Sequence, residues 1–104
     1  MGLAYNNIAV NGAVPPFYKM ISQGLVAEPL FGVWLGDSNK DQVNGGSITF
    51  GGIDQSHIAG EITWAPVTRR GYWQVEMSAV TLGGKALVLS TTKAAIDTGT
   101  IFYR

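Results

Sequence analysis

The chain contains no cysteine and a single histidine, His57. Disulfides, thiolate metal centres and a thiol nucleophile are therefore excluded, while the redox compartment stays undecided. One histidine without cysteine partners does not make a zinc site, so His57 is expected at the surface and no metal is expected. Charge excess is lacking too: seven Lys and Arg balance seven Asp and Glu, for a formal net charge of zero. Such a chain has no basic footprint for nucleic acid or an anionic membrane, and neither partner is expected. No apolar run approaches the roughly 18 residues of a membrane span, and no basic segment followed by an apolar one opens the chain as a secretory leader would. Gly45-Gly46 and Gly51-Gly52 lack the lysine of a phosphate-binding loop and the spacing of a dinucleotide turn, so no cofactor is expected. Ser22, Ser38, Ser47, Ser56, Ser78 and Ser90 have no nucleophile-elbow context.

What the chain does have is glycine, 14 residues in 104, set as punctuation between short apolar runs. Val14-Pro15-Pro16 leads into Phe17, Met20 and Ile21 at helical spacing, with Gly24 placed to end the run. This predicts a short amphipathic helix from about Pro16 to Gln23 with its apolar stripe in the core. Leu30-Phe31-Gly32-Val33-Trp34-Leu35 reads as a strand, Asp37-Ser38-Asn39-Lys40-Asp41-Gln42 as a hairpin tip, and Ser47-Ile48-Thr49-Phe50 as the returning strand. Two more hairpins are expected. One pairs Glu61–Val67 with Tyr72–Met77 around Arg69-Arg70-Gly71, and the other pairs Val80–Leu82 with Lys85–Leu89 around Gly83-Gly84. The fold class expected is all-β with one short helix, as one domain or a piece of a larger one.

The sharpest chemical feature is Ala94-Ala95-Ile96-Asp97-Thr98-Gly99-Thr100, which delivers a carboxylate from an apolar strand into a turn bearing hydroxyls and a glycine. The apolar residues predict a buried strand. Gly99 permits a close backbone approach, and the Thr98 and Thr100 hydroxyls can bond the carboxylate or the backbone. Taken alone, the tripeptide is an ordinary Asx turn, because Asp, Thr and Gly are turn formers.

Four other segments change that reading. Gly2-Leu3-Ala4-Tyr5, Gln23-Gly24-Leu25-Val26, Gly51-Gly52-Ile53-Asp54 and Gly71-Tyr72-Trp73-Gln74-Val75, in this order and spacing with Ile96-Asp97-Thr98-Gly99-Thr100, resemble the pepsin-like aspartic endopeptidases over essentially the whole chain. The resemblance implies a segment of a bilobal β fold that includes the interlobe sheet, rearranged or associated when isolated. Residues 1–104 would form one partial domain: about 1–36 similar to the end of the first lobe, about 37–92 to the interlobe-sheet region, and about 93–104 to the start of the second lobe's catalytic loop.

The resemblance also implies the chemistry. In that family two aspartates, one from each lobe, share a proton and hold a water: the ionised partner takes the water's proton while the protonated one polarises the scissile carbonyl. Asp97 is similar to the second-lobe catalytic aspartate, Thr100 to the hydroxyl that bonds it, Thr98 to the threonine that braces the two loops, and Tyr72 to a substrate-binding position on the leaving-group side. Tyr72 could equally pack beside Trp73. No other Asp-Thr-Gly or Asp-Ser-Gly occurs, so the chain alone is expected to be inactive. A peptide or protein substrate belongs to the complete enzyme; the chain alone is expected to self-associate or to join complementary protease segments. Two alternatives are a non-catalytic β-rich interaction module or inhibitor of a partner protease, and a homodimeric aspartic protease with a dyad of two Asp97 copies. The family implies a secreted or vacuolar/lysosomal setting. After Thr100 it continues with a small hydroxyl residue, where this chain has Ile101-Phe102-Tyr103-Arg104. Asp54 is read as turn-forming, and Arg69-Arg70 as an exposed pair in a hairpin turn.

Overall fold

The structure, a computed structural model, describes residues 1–37 and 45–99. It divides into two compact units, one built from residues 16–63 and the other from residues 1–15 with 64–104. The fold class is the one expected: the described residues form short strands, one short α-helix and three single-turn 3-10 helices at Asn6–Ile8, Val10–Gly12 and Gln55–His57.

In the unit of residues 16–63, helix α1 (Pro16–Ser22) begins on a proline, whose missing N–H would have no partner in a first turn anyway. It ends in a Schellman motif: Leu25 N–H donates to the Met20 carbonyl (2.9 Å) and Gly24 N–H to the Ile21 carbonyl (3.0 Å). Strands β1 (Phe31–Leu35) and β2 (Gly46–Phe50) pair antiparallel, with Phe31 opposite Phe50 and Val33 opposite Ile48. Of the expected hairpin tip, residues 38–42 lie outside the described residues. Gly51 follows β2 with φ of +76°, and a Cβ there would stand 2.9 Å from the Val26 Cβ, so the close approach of residues 26 and 51 requires glycine.

Phe17 on α1, only 6% exposed, is the single buried apolar side chain among the described residues. It packs edge-on against Phe31 (ring centroids 5.2 Å apart) and tilted against Phe50 (5.7 Å). The expected apolar stripe of α1 is thereby corrected, because Met20 is half-buried and Ile21 exposed. Strand alternation puts Val33, Leu35 and Ile48 on the same face as Phe31 and Phe50. All three stay exposed, Leu35 by 69%.

In the other unit, β3 (Gln74–Glu76) pairs antiparallel with β6 (Lys93–Ala95), setting Val75 opposite Ala94. This corrects the expected hairpin between Glu61–Val67 and Tyr72–Met77: residues 61–67 form no strand. Pro66 has no N–H to give a ladder. What persists is the Arg69–Gln74 bridge, with Thr68 N–H donating to the Gln74 carbonyl (2.9 Å). The Gly83-Gly84 hairpin forms as expected, joining β4 (Thr81–Leu82) to β5 (Lys85–Ala86). Its two central residues have φ of 56° and 79°, both positive as a two-residue type I′ turn requires.

The expected burial of the strand before Asp97 is also corrected. Lys93 and Ala95 are exposed, Ala94 is half-buried and Ile96 is 62% exposed. Among the described residues the strand belongs to a sheet of two strands, which offers little area to cover it.

Candidate functional site

Asp97 is positioned by the β3–β6 ladder. Beyond the last strand pair, Ile96 N–H donates to the Trp73 carbonyl (2.9 Å), so the ladder's final bond is made one residue before Asp97 and one residue after Tyr72. The two residues singled out from the sequence thus leave the same end of one two-stranded sheet. Tyr72 is 63% exposed.

The loop itself is an Asx turn. Gly99 N–H donates to Asp97 Oδ1 at 2.8 Å, which fixes the carboxylate relative to its own backbone. Asp97, Thr98 and Gly99 are all exposed, and Thr100 lies outside the described residues. A Cβ added at Gly99 would meet Asp97 Oδ1 at 3.7 Å, an ordinary contact. The turn by itself therefore does not demand glycine at 99.

Behind this end of the sheet stands a support that the sequence did not reveal. The Trp73 indole N–H donates to the Leu3 carbonyl (2.9 Å), the Tyr5 ring lies 4.7 Å from the Trp73 ring, and Tyr5 N–H donates to the Gly71 carbonyl (3.0 Å). Asn7 Nδ2 adds a bond to the Arg70 carbonyl (3.1 Å). Three segments that carry the family resemblance, Leu3–Tyr5, Gly71–Trp73 and Ile96–Gly99, are therefore held together in one unit. The available signal was the indole itself, since a part-buried tryptophan N–H needs an acceptor.

Asp54 sits in the unit of residues 16–63 and does what its turn reading requires. Its Oδ1 accepts from the Ser56 hydroxyl (2.6 Å) and from Ser56 N–H (3.0 Å), capping the 3-10 helix Gln55–His57. The Ser56 side-chain bond first and its backbone bond second hold the carboxyl below its ordinary value, with a smaller contribution from His57. His57 Nε2 is 3.6 Å from Asp54 Oδ2, and the imidazole stacks on Trp34 with ring centroids 4.0 Å apart and planes within 8° of parallel. His57 is exposed, where the sequence put it.

Among the described residues no group of three or more His, Cys, Asp or Glu side chains could hold a metal ion, and no helix is long and apolar enough to cross a membrane.

The family model described as eukaryotic aspartyl protease matches residues 1–104. Among curated relatives, vacuolar protease A of Arthroderma otae is 50% identical over 100 residues, covering 96% of this chain and 25% of the relative. The vacuolar aspartic protease of Candida albicans is 50% identical over 100 residues, 96% of this chain and 24% of its own length. Phytepsin of Hordeum vulgare is 50% identical over 86 residues, 83% of this chain and 17% of its own length. The chain spans about a quarter of the length of the two vacuolar relatives.

Proposed function

Because the chain belongs to the pepsin-like family of eukaryotic aspartyl proteases, we propose that it is a segment of a vacuolar endopeptidase, contributing Asp97 as one of the two catalytic aspartates and inactive by itself. The observation that carries this reading is the seating of Asp97. It follows directly on the last ladder bond, and its Oδ1 is oriented by Gly99 N–H. A carboxylate so held suits the activation of a water, provided that a second carboxylate faces it. Thr98 and Thr100 are assigned as the bracing and hydrogen-bonding hydroxyls, and Tyr72, at the same end of the sheet, as a contact on the substrate's leaving-group side.

The substrate class is a peptide or protein chain, and the setting is vacuolar, as the names of the fungal relatives suggest. Inactivity of the isolated chain follows from arithmetic: one Asp-Thr-Gly supplies one carboxylate, and the proton sharing that divides acid from base needs two. The extensive exposed apolar surface supports association with complementary protease segments or with a second copy.

The test has two arms. The isolated chain is incubated with denatured protein across the acid range; no cleavage is expected. Acid activity that vanishes in Asp97→Asn would overturn the inactivity and favour the homodimer. In the second arm, residues 1–104 replace the matching segment of vacuolar protease A. The chimera is expected to cleave peptides, and Asp97→Asn in it to lower kcat by roughly a hundredfold to ten-thousandfold. A chimera that keeps full activity with Asn at 97 would remove Asp97 from the mechanism.

A further inference from the structure

Asn11 is the one non-glycine residue with positive φ among the described residues (φ 55°, ψ 27°), and it is followed by Gly12, also left-handed at φ 67°. Both are exposed and belong to the 3-10 turn Val10–Gly12, which is closed by a hydrogen bond from Ala13 N–H to the Val10 carbonyl (3.1 Å). Nothing lies within 4 Å of the position a Cβ on Gly12 would take. Among the described residues no hydrogen-bond partner holds the Asn11 amide. Asn7 is exposed in a 3-10 turn as well, but its φ is not positive, its Nδ2 donates to the Arg70 carbonyl at 3.1 Å, and the residue after it is Ile8, whose branched Cβ crowds its own backbone nitrogen.

We infer that Asn11-Gly12 is a self-modification site, where the asparagine amide is lost through a cyclic imide without any enzyme. Base removes the Gly12 N–H proton as the short turn rotates about ψ, and the Gly12 nitrogen attacks Asn11 Cγ. The Cγ–N bond to Gly12 forms, the Cγ–Nδ2 bond breaks, and Nδ2 leaves as ammonia after taking up a proton. Water then opens the five-membered ring. Attack at Cγ restores the normal main chain with an aspartyl side chain, whereas attack at the main-chain carbonyl leaves the peptide running through Cγ as an isoaspartyl linkage. The sum is amide plus water giving acid plus ammonia, with no redox change. Glycine is what makes this position reactive, because its nitrogen carries no Cβ to hinder attack and its backbone rotates readily. Each event takes the formal net charge of the chain from zero to minus one.

The experiment ages the full chain in mildly alkaline buffer and maps its tryptic peptides by fragmentation mass spectrometry, with an isoaspartyl-specific methyltransferase as the probe of linkage. The expected result is loss of the Asn11 amide on the order of tenfold faster than that of Asn7, as two products of which one accepts methyl groups. Asn11→Gly, which keeps a residue suited to positive φ, is expected to remove most of the methyl acceptance in the peptide of residues 1–19, leaving only the slow contribution of Asn6 and Asn7, with the circular dichroism spectrum unchanged. Gly12→Ala is expected to slow the loss. Asn44-Gly45 reports separately, in the peptide beginning after Lys40. Retention of the Asn11 amide for as long as that of Asn7 would overturn the proposal, as would a product with no isoaspartyl component, which indicates direct hydrolysis instead of an imide.

Discussion

Trp73 and Leu3 are joined by a hydrogen bond across 70 positions of sequence, from the indole N–H to the main-chain carbonyl at 2.9 Å. Through it the opening segment of the chain is fixed to the strand end from which Asp97 emerges, because the Trp73 carbonyl accepts the last bond of the β3–β6 ladder. Trp73→Phe keeps an aromatic ring against Tyr5 and leaves the Leu3 carbonyl without this donor. A loss of about 1–2 kcal/mol in unfolding free energy is expected. Urea denaturation followed by tyrosine and tryptophan fluorescence checks it; an unchanged midpoint would mean that the bond adds nothing net.

Asp54 has a pH signature of defined sign. Its folded carboxyl lies below the ordinary value of 3.8, chiefly through the Ser56 bonds. Its contribution to stability is therefore present above the unfolded value and is lost as the pH falls through the folded one. Asp54→Asn retains a capping oxygen but cannot titrate. Local protection of the Ser56 amide, followed by hydrogen exchange, is expected to weaken on acidification in the native chain and to lose that pH dependence in Asp54→Asn.

Neighbouring glycines should respond differently to the same substitution. Gly51→Ala forces a Cβ to within 2.9 Å of the Val26 Cβ and 3.0 Å of the Ala27 nitrogen, at a φ of +76°. A destabilisation of roughly 1–3 kcal/mol is expected. At Gly52 no atom stands within 4 Å of the new Cβ, and Gly52→Ala is expected to change stability by less than about 1 kcal/mol. Equal effects in thermal denaturation would contradict the close approach at residue 26.

Val33, Leu35 and Ile48 form an apolar strip on the β1–β2 hairpin that α1 leaves uncovered. Self-association is expected, with sedimentation giving an apparent mass that rises with concentration. Leu35→Lys, which puts a charge at the most exposed of the three, should shift the distribution toward monomer. A sharp monomer at all concentrations, with cooperative unfolding, would show that the units satisfy their own apolar surface.

Signals confined to a few consecutive residues were legible in the sequence. Pro16 and Gly24 bracket α1, and Gly83-Gly84 specifies the turn between β4 and β5, because each acts through the backbone of its neighbours. Pairing over distance was not legible. Alternation in Tyr72–Met77 gives a strand and its two faces but does not name a partner, and the nearby run at residues 61–67 was the wrong one; β6, some twenty residues on, took its place. Burial failed for the same reason at Ala94, Ala95 and Ile96, since apolar composition states a preference that only a covering layer can satisfy. Asp97 was singled out by the company of motifs spread along the whole chain, and the Asx bond to Gly99 would exist whatever its role.

The unit of residues 16–63 is an unbroken stretch of chain, whereas its companion is assembled from residues on either side of that stretch. On a ribosome the two would mature in order. Phe17, Phe31 and Phe50 are all available for packing once residue 50 has emerged, and Asp54 can cap its turn shortly after. Leu3 and Tyr5, although made earlier, wait for Gly71 and Trp73, and the ladder that presents Asp97 waits for residue 96. A closure over so long a loop is entropically slow, so the segment bearing the carboxylate acquires its shape after the unit of residues 16–63.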